Sequence, residues 1–258
     1  MLVDTHCHIH EADYPLDVNE TLARARAAGV HKMICVGTNI RSSHEAIAFS
    51  TQHSETYAAI GVHPHDTTTG WNEIERLADV TVLHTKSEDS SRLVAIGEIG
   101  LDYFYTHSPR AVQIEALESQ LDVAVRHGLP VIFHVREAFD DFWPLLDNFK
   151  DIRGVLHSFT DTDVNLERAL QRGLYVGVNG ISTFTKDAVQ RGMFAAIPLE
   201  RLLLETDAPF LTPVPFRGKV NEPALVEHVA RHQALTYGIS LEEIAAATTA
   251  NADALFAL

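Results

Sequence analysis

Residues 2–8 of the chain read LVDTHCH, a short apolar run that leads into two closely spaced histidines. Apolar runs of this length are typical of a buried β-strand. Because side chains alternate along a strand, His6 and His8 are predicted to point to the same side. The H-x-H pattern alone is weak in a chain with 15 histidines, but its place at the end of the first strand indicates metal ligands.

The same arrangement recurs along the rest of the chain. Five further apolar runs end in a histidine or a carboxylate, the residue types that bind divalent cations. One such run would be noise, whereas the repetition suggests that strands distant in sequence deliver ligands to one place. The five runs end at His63, at Glu98, at His134, at His157, and at Glu205 together with Asp207.

The order of segments predicts the fold class. Apolar segments alternate with helical patterns over 258 residues, which predicts βαβ units and a parallel sheet. Eight such units match an α/β fold, the (β/α)8 TIM barrel, as one domain over residues 1–258. An open doubly wound sheet is the alternative, but it rarely needs eight regular repeats. The predicted strands are 2–8, 32–38, 56–63, 93–100, 130–136, 154–159, 174–179 and 202–207, and the predicted helices are 17–28, 42–53, 71–84, 109–127, 137–149, 162–172, 185–195, 222–237 and 240–256.

A barrel would gather these residues at one face, because barrel active sites lie at the C-terminal ends of the strands. A carboxylate such as Glu98 inside an apolar run is costly unless it is paired or binds metal, and its two oxygens can bridge two cations. The alternatives are a structural salt bridge for Glu98, core histidines at His134 and His157, and helix capping by Asp207. The metal interpretation is favoured because all of these positions lie near the C-terminal ends of predicted strands.

Several neighbours are predicted to support the metals rather than bind them. His63 and His65 lie in the sequence GVHPH, and a role beside the metals or towards the substrate is favoured over ligation. Glu205 is expected to share a face with Asp207 and to hydrogen-bond near the ligands. Asp102 either lines the pocket or caps the helix that follows.

A basic loop follows the last predicted strand in this acidic chain. It reads RGKVNEP over residues 217–223 and should overhang the active face. Arg217, Lys219 and Asn221 are predicted to hold a phosphate or to orient the rim of the site. A solvated loop without a function is the alternative.

The composition limits partners and location. A net charge of −15 weighs against non-specific binding to duplex DNA or anionic membranes, although bound cations can invert the field locally. No apolar stretch approaches the ~18–20 residues of a membrane span, and the N-terminus has no signal-peptide pattern. With only two cysteines, both in predicted strands, a cytoplasmic location is expected. We expect a monomer or weak oligomer without a stable protein partner and without membrane contact.

Together these residues resemble the TatD family of metal-dependent hydrolases, the TatD-type DNases of the amidohydrolase-like superfamily. The resemblance runs from end to end and combines several motifs. These are DTHCH at 4–8, GVHPH at 61–65, IGEIGLDY at 96–103, His134, LHSF at 156–159, LLETDAP at 203–209, RGKVNEP at 217–223 and TANADALF at 249–256.

The resemblance implies a (β/α)8 barrel with two divalent cations. It assigns one cation to His6, His8 and Asp207, a second to His134 and His157, and the bridge between them to Glu98. Many related amidohydrolases use a modified lysine as that bridge. A glutamate at this position therefore points to the TatD branch of the superfamily.

The resemblance also implies a reaction, the hydrolysis of phosphodiester bonds in nucleic acid by 3′-to-5′ exonuclease action. Asp207 is the best candidate to orient the attacking water and accept its proton, while Glu98 bridges. Zinc, manganese and magnesium all remain open. Without a basic groove, a single-stranded or frayed end is a better substrate than a long duplex. The alternative is an ester or amide hydrolase such as a D-aminoacyl-tRNA deacylase, because a metal pair can also polarise a carbonyl.

Overall fold

The computed structural model describes residues 1–85 and 92–258, and of residues 83–85 it describes the backbone. Its eight strands make one sheet in the order β1 to β8, and the pairs β3/β4, β4/β5, β5/β6 and β7/β8 run parallel. The strands are β1 Leu2–Cys7, β2 Val30–Val36, β3 Thr56–Ile60, β4 Leu93–Asp102, β5 Val131–Arg136, β6 Gly154–Leu156, β7 Tyr175–Val178 and β8 Leu202–Leu204.

Backbone pairing beyond the last strand closes this sheet. Cys7 at the end of β1 forms a parallel bridge with Ala208, just after β8. The His8 N–H donates to the Ala208 carbonyl at 2.8 Å, and the Asp207 N–H donates to the His6 carbonyl at 2.9 Å. Together with the strand order, this pairing confirms the predicted (β/α)8 barrel fold.

Helices lie between the strands as the alternation predicted. Each of the eight predicted strands is present, with ends that differ from the prediction by at most three residues. The helices are α1 Val18–Ala27, α2 Ile40–Gln52, α3 Glu73–Thr85, α4 Arg110–His127, α5 Phe139–Leu146, α6 Asp163–Gln171, α7 Ile181–Phe184, α8 Ala188–Ala196, α9 Val226–Tyr237 and α10 Leu241–Phe256.

Two helix predictions are corrected in detail. Helix α2 begins before Ser42, because Asn39 is its cap: the Asn39 side chain accepts from the Ser42 N–H at 3.0 Å, and Ser42 Oγ accepts from the Asn39 N–H at 3.0 Å. The helix predicted over 185–195 is α8, which begins later, at Ala188, because Asp187 caps it by accepting from the Val189 N–H at 2.8 Å; the short helix α7 at Ile181–Phe184 was not predicted.

The chain divides into two compact units, residues 1–34 with 158–258, and residues 35–157. In the first, helix α10 is anchored by Asn251, whose amide donates to the carbonyls of Leu199 and Leu202 at 2.8 Å each. In the second, Gln120 of α4 accepts from the Val62 N–H at 2.7 Å and donates to the Val62 carbonyl at 3.2 Å. The single domain over residues 1–258 stays a prediction. Within the described ranges, no helix has both the length and the apolar character needed to cross a bilayer.

Gly100 offers a test of how tightly β4 and β5 pack. Its φ of 156° is unfavourable for other residues, and an added Cβ would collide with the carbonyl of His134, its register partner. Gly100→Ala is expected to lower the free energy of unfolding by about 2–5 kcal/mol, from the collision and the backbone strain together. Urea denaturation followed by circular dichroism measures this change.

Gly192→Ala is the matched control. Gly192 lies within α8, and an added Cβ would meet nothing within 4 Å. Alanine is the better helix former, so this variant is expected to gain about 0.5–1 kcal/mol. Equal stability of the two variants would show that the approach of β4 to β5 is not as close as described.

Candidate metal centre

Three potential ligands meet where β1 and β8 end. His6 and His8 are buried, and their Nε2 atoms lie 3.2 Å apart. Asp207 Oδ1 lies 3.4 Å from His8 Nε2 and 3.7 Å from His6 Nε2. Metal–nitrogen bonds of about 2.0–2.1 Å in a tetrahedron give ligand–ligand edges of about 3.3–3.4 Å. The three separations lie close to that value, so this group fits a divalent cation.

Asp207 reaches this position through its backbone. Strand β8 ends at Leu204, and Asp207 has a left-handed φ of 58°. The alternation of a regular strand therefore does not extend to residue 207, and the expectation that Glu205 and Asp207 share a strand face was wrong in its premise. Loop geometry, not strand alternation, aims the Asp207 carboxylate at His6 and His8.

Asp4 holds this loop to β1. Its carboxylate accepts from the Thr206 N–H at 2.8 Å and from the Thr206 hydroxyl at 2.6 Å. Burial raises the pKa of Asp4 to about 7, although the hydrogen bonds from Thr206 act in the opposite direction. Asp4 was not among the predicted site residues, although a carboxylate inside an apolar strand indicates a structural or functional role.

Glu205 makes a separate set of contacts. It is buried, and its Oε1 accepts from the Ser158 N–H at 2.7 Å and from the Asn179 amide at 3.2 Å. Gly177 leaves the space that this carboxylate occupies, since an added Cβ would collide with it. Glu205 thus orders the chain around Ser158, and its predicted supporting role fits these contacts better than ligation does.

A second group of ligands surrounds Glu98 in the other unit. Glu98 is 3% exposed, and its Oε1 lies 2.9 Å from His134 Nδ1 and 3.6 Å from His157 Nε2. His63 Nε2 lies 3.5 Å from the same oxygen. His63, Glu98 and His134 offer ligand atoms within 4.8 Å of one another. Two or three imidazoles around one buried carboxylate form a donor set that suits a transition-metal cation.

His63 is the weakest candidate ligand of this group because its Nε2, the nitrogen that faces Glu98, carries a hydrogen. Its Nδ1 accepts from the His65 N–H at 3.1 Å, so a neutral ring carries its hydrogen on Nε2, which faces Glu98. Burial lowers the pKa of His63 well below its ordinary value, and the charge of His134 adds to this effect. A neutral imidazole with Nε2–H donates to a carboxylate and does not bind metal. The geometry therefore favours the predicted role of His63 beside the ligands.

Asp102 joins the surrounding histidines more directly than the sequence indicated. It is 1% exposed, and its Oδ2 lies 2.9 Å from His134 Nε2 and 3.0 Å from His65 Nε2. Burial raises the pKa of Asp102, but hydrogen bonds from His134 and the Tyr105 N–H outweigh it and hold that pKa below its usual range. Asp102 therefore orients both histidine rings, a role beyond the predicted lining of the pocket or capping of a helix.

The same contacts set the charge of His134. Burial lowers its pKa, but hydrogen bonds to Asp102 and Glu98 outweigh burial, so the net shift of the pKa is upward. His134 thus holds its proton more tightly than an ordinary imidazole does. Because a ligating histidine must give up that proton, binding of a cation here would release a proton.

The predicted basic loop has a defined structure. Arg217 is exposed, donates to the Thr212 carbonyl at 2.8 Å, and places its guanidinium 3.8 Å from the centroid of the Phe184 ring. Lys219 is exposed. Asn221 is fully buried, and its amide donates to the carbonyls of Thr206 and Phe210 at 2.8 and 2.5 Å. Asn221 therefore shapes the loop, while Arg217 and Lys219 present cations at its surface.

Histidine and carboxylate side chains grouped towards the C-terminal ends of the strands of a (β/α)8 barrel are typical of metal-dependent hydrolases. Comparison with known proteins narrows the class. The family described as TatD related DNase matches residues 3–257, and the chain belongs to this family. The resemblance found in the sequence is thereby confirmed.

Known proteins are similar to this chain over nearly its whole length. A protein of Bacillus subtilis described as the uncharacterized metal-dependent hydrolase YabD is 36% identical, with 99% of each chain covered. The 3′-5′ ssDNA/RNA exonuclease TatD of Cronobacter turicensis is 38% identical, with 99% of this chain and 97% of the relative covered. The crystal structure of the TatD homologue YJJV of Escherichia coli superposes with a TM-score of 0.88 at 31% identity, over 100% of this chain and 98% of that one.

Proposed function

We propose that this hydrolase is an exonuclease that shortens single-stranded or frayed nucleic acid from the 3′ end by hydrolysing phosphodiester bonds. The proposal rests above all on the two groups of candidate ligands, one around His6 and one around Glu98, which lie in or just after the strands of a barrel. Similarity to proteins named as 3′-5′ exonucleases supports the choice of substrate.

Two divalent cations are part of the proposal. One would be held by His6, His8 and Asp207, and the second by His134 and His157, with Glu98 contributing an oxygen to both. The separations of 3.2–3.7 Å within the first group support its assignment. The mixed nitrogen and oxygen donors suit manganese or zinc, whereas magnesium prefers oxygen ligands.

Bound divalent cations supply Lewis acidity, which activates water and offsets the charge on a phosphate. The side chains then divide the remaining work. Asp207 would orient the water and accept its proton, because its side chain is 14% exposed whereas His6 is 0% exposed. Asp102 would keep the ring of His134 in place. Glu98, enclosed by three histidines, is better placed to bridge than to move a proton.

The charge of the chain bears on the kind of nucleic acid. With a net charge of −15, the protein is poorly suited to bind the many phosphates of a duplex. Arg217, fixed by Thr212 and Phe184, and the exposed Lys219 would contact one or two phosphates near the cleaved bond. A few cations suffice for an end that threads into a pocket, which is why a single-stranded end is proposed.

A substrate panel tests the proposal. Metal-stripped protein receives magnesium, manganese or zinc, with end-labelled single- and double-stranded DNA, RNA and D-aminoacyl-tRNA as substrates. We expect no hydrolysis in EDTA and, with a suitable cation, stepwise loss of nucleotides from the 3′ end of the single strands. At 100 times its Kd, each bound cation should also stabilise the fold by about 2.7 kcal/mol, visible as a rise in Tm.

The same panel contains the outcomes that would contradict the proposal. Hydrolysis of D-aminoacyl-tRNA without any cleavage of DNA or RNA would identify an ester hydrolase instead. Undiminished nuclease activity in EDTA would exclude the metal-dependent assignment of His6, Glu98 and their neighbours.

A further inference from the structure

Two adjacent aromatic side chains stand exposed beside the group around Glu98. Phe104 and Tyr105, two and three residues after the end of β4, are 48% and 42% exposed. Their rings pack edge to face at 4.7 Å, and the guanidinium of Arg136 lies 3.9 Å from the centroid of Phe104 and 5.0 Å from that of Tyr105. Single exposed apolar residues are ordinary, but two adjacent rings in contact with a guanidinium form one contiguous exposed surface with a polar rim, which is typical of a binding site.

From this arrangement we propose that Phe104, Tyr105 and Arg136, here called the aromatic platform, stack an unpaired base at the end of a nucleic acid strand. The proposal rests on the proposed function, because it names how the substrate of that site is held. It goes further in assigning a binding role to residues outside the ligand groups and in explaining a preference for single strands.

The platform is joined to the candidate ligands by one carboxylate. Asp102 Oδ1 accepts from the N–H groups of Phe104 and Tyr105 at 3.0 and 2.9 Å, while its Oδ2 lies 2.9 Å from His134 Nε2. The carboxylate that fixes the His134 ring thus also fixes the backbone of the platform.

The register of β4 and β5 places the candidate ligand His134 and the platform residue Arg136 along the same pair of strands. Gly100 pairs with His134, and Asp102 pairs with Arg136. Two residues along a strand span about 6.6 Å, and side chains at positions i and i+2 share a face. A nucleotide with its phosphate at His134 would therefore bring its base towards Arg136 and the two rings.

The charge of Arg136 is available to such a ligand. Within residues 1–85 and 92–258, Arg136 forms no ion pair, and its side chain is exposed. A guanidinium plane stacks on bases and also attracts phosphate, and aromatic rings stack on any base without regard to sequence. Bases in a duplex are already stacked and enclosed, so this surface favours unpaired ends.

Binding to metal-free protein tests the platform apart from catalysis. In EDTA, fluorescence anisotropy compares a 5′-fluorescein oligothymidylate that ends in a normal 3′ nucleotide with one that ends in a 3′ abasic residue. The wild-type protein should bind the normal end about tenfold more tightly, in the range expected for one stacked base. The double variant Phe104→Leu, Tyr105→Leu keeps apolar volume but removes the aromatic faces, and it should bind both ends equally.

Two further variants secure the interpretation. Phe104→Trp preserves an aromatic face and should keep the discrimination. Leu235→Ala, at a residue of α9 that is 82% exposed and belongs to the other compact unit, removes apolar surface and should bind as the wild type does. Circular dichroism and Tm confirm that each variant is folded; should the double leucine variant unfold, Arg136→Gln replaces it, with reduced discrimination expected.

The outcomes separate the two proposals. A wild-type protein that fails to bind, or that binds both ends equally, overturns the platform. So does a folded double leucine variant that discriminates as the wild type does. The proposed function is judged independently, by whether the metal-loaded wild type cleaves end-labelled single strands at all.

Discussion

Replacing Asp207 with asparagine is expected to lower kcat for the shortening of single-stranded DNA by about 10³-fold while the protein remains folded. The amide has nearly the same shape as the carboxylate, so the approach of residue 207 to His6 and His8 at 3.7 and 3.4 Å can persist. It cannot accept a proton from water, and it is a weaker ligand for a cation. Single-turnover cleavage of an end-labelled oligonucleotide at saturating manganese measures the loss.

Asp122→Asn is the matched control for this prediction. Asp122 is exposed on α4, so the same chemical change there should leave kcat within about twofold, as is usual for surface substitutions. Metal-dependent cleavage by the Asp207 variant at the wild-type rate would rule out the role assigned to Asp207.

Glu98→Gln is expected to remove a bound cation as well as activity. A single oxygen of Glu98 lies 2.9–3.6 Å from nitrogens of three histidines, so its charge offsets whatever cation binds among them. The amide has no charge to share between two metals. We expect the number of bound manganese ions to fall from two to one or none. We also expect kcat to fall by about 10³-fold, at least as much as the loss of one electrostatic contact to the transition state.

The measurement for this variant is metal content after equilibrium dialysis, with cleavage assayed on the same sample. Glu118→Gln, at an exposed position of α4, is the control and should retain both cations. Full metal content together with full activity in the Glu98 variant would show that this carboxylate does not bridge.

The fold was accessible from the sequence because its information is periodic. Buried strands such as LVDTHCH alternate with amphipathic helices, and eight repeats leave few alternatives to a barrel. The periodic pattern does not predict the hydrogen bonds that side chains make at the ends of helices. Asn39 rather than Ser42 begins α2 because the two side chains exchange hydrogen bonds, and such a capping box depends on backbone geometry as well as residue type.

The candidate site was predictable where residue type and strand end decide it, as at His6, His8 and Glu98. It was less predictable where loops decide it. Asp207 reaches its position through a left-handed backbone that strand alternation cannot anticipate. Asp102 was read as a possible cap, and it does bind two backbone N–H groups, but its other oxygen reaches His65 and His134 from distant parts of the chain. Spacing alone cannot reveal such a contact.

The rate at which manganese-titrated protein shortens a single strand, followed against the number of bound cations per chain, shows whether two cations are needed for hydrolysis. The oligonucleotide carries its label at the 5′ end so that stepwise loss from the 3′ end appears as a ladder. We expect no shortening by the metal-free protein and a full rate only when two cations are bound. A full rate with no cation or with one would show that two cations are not required, and no shortening at any occupancy would show that the protein is not this exonuclease.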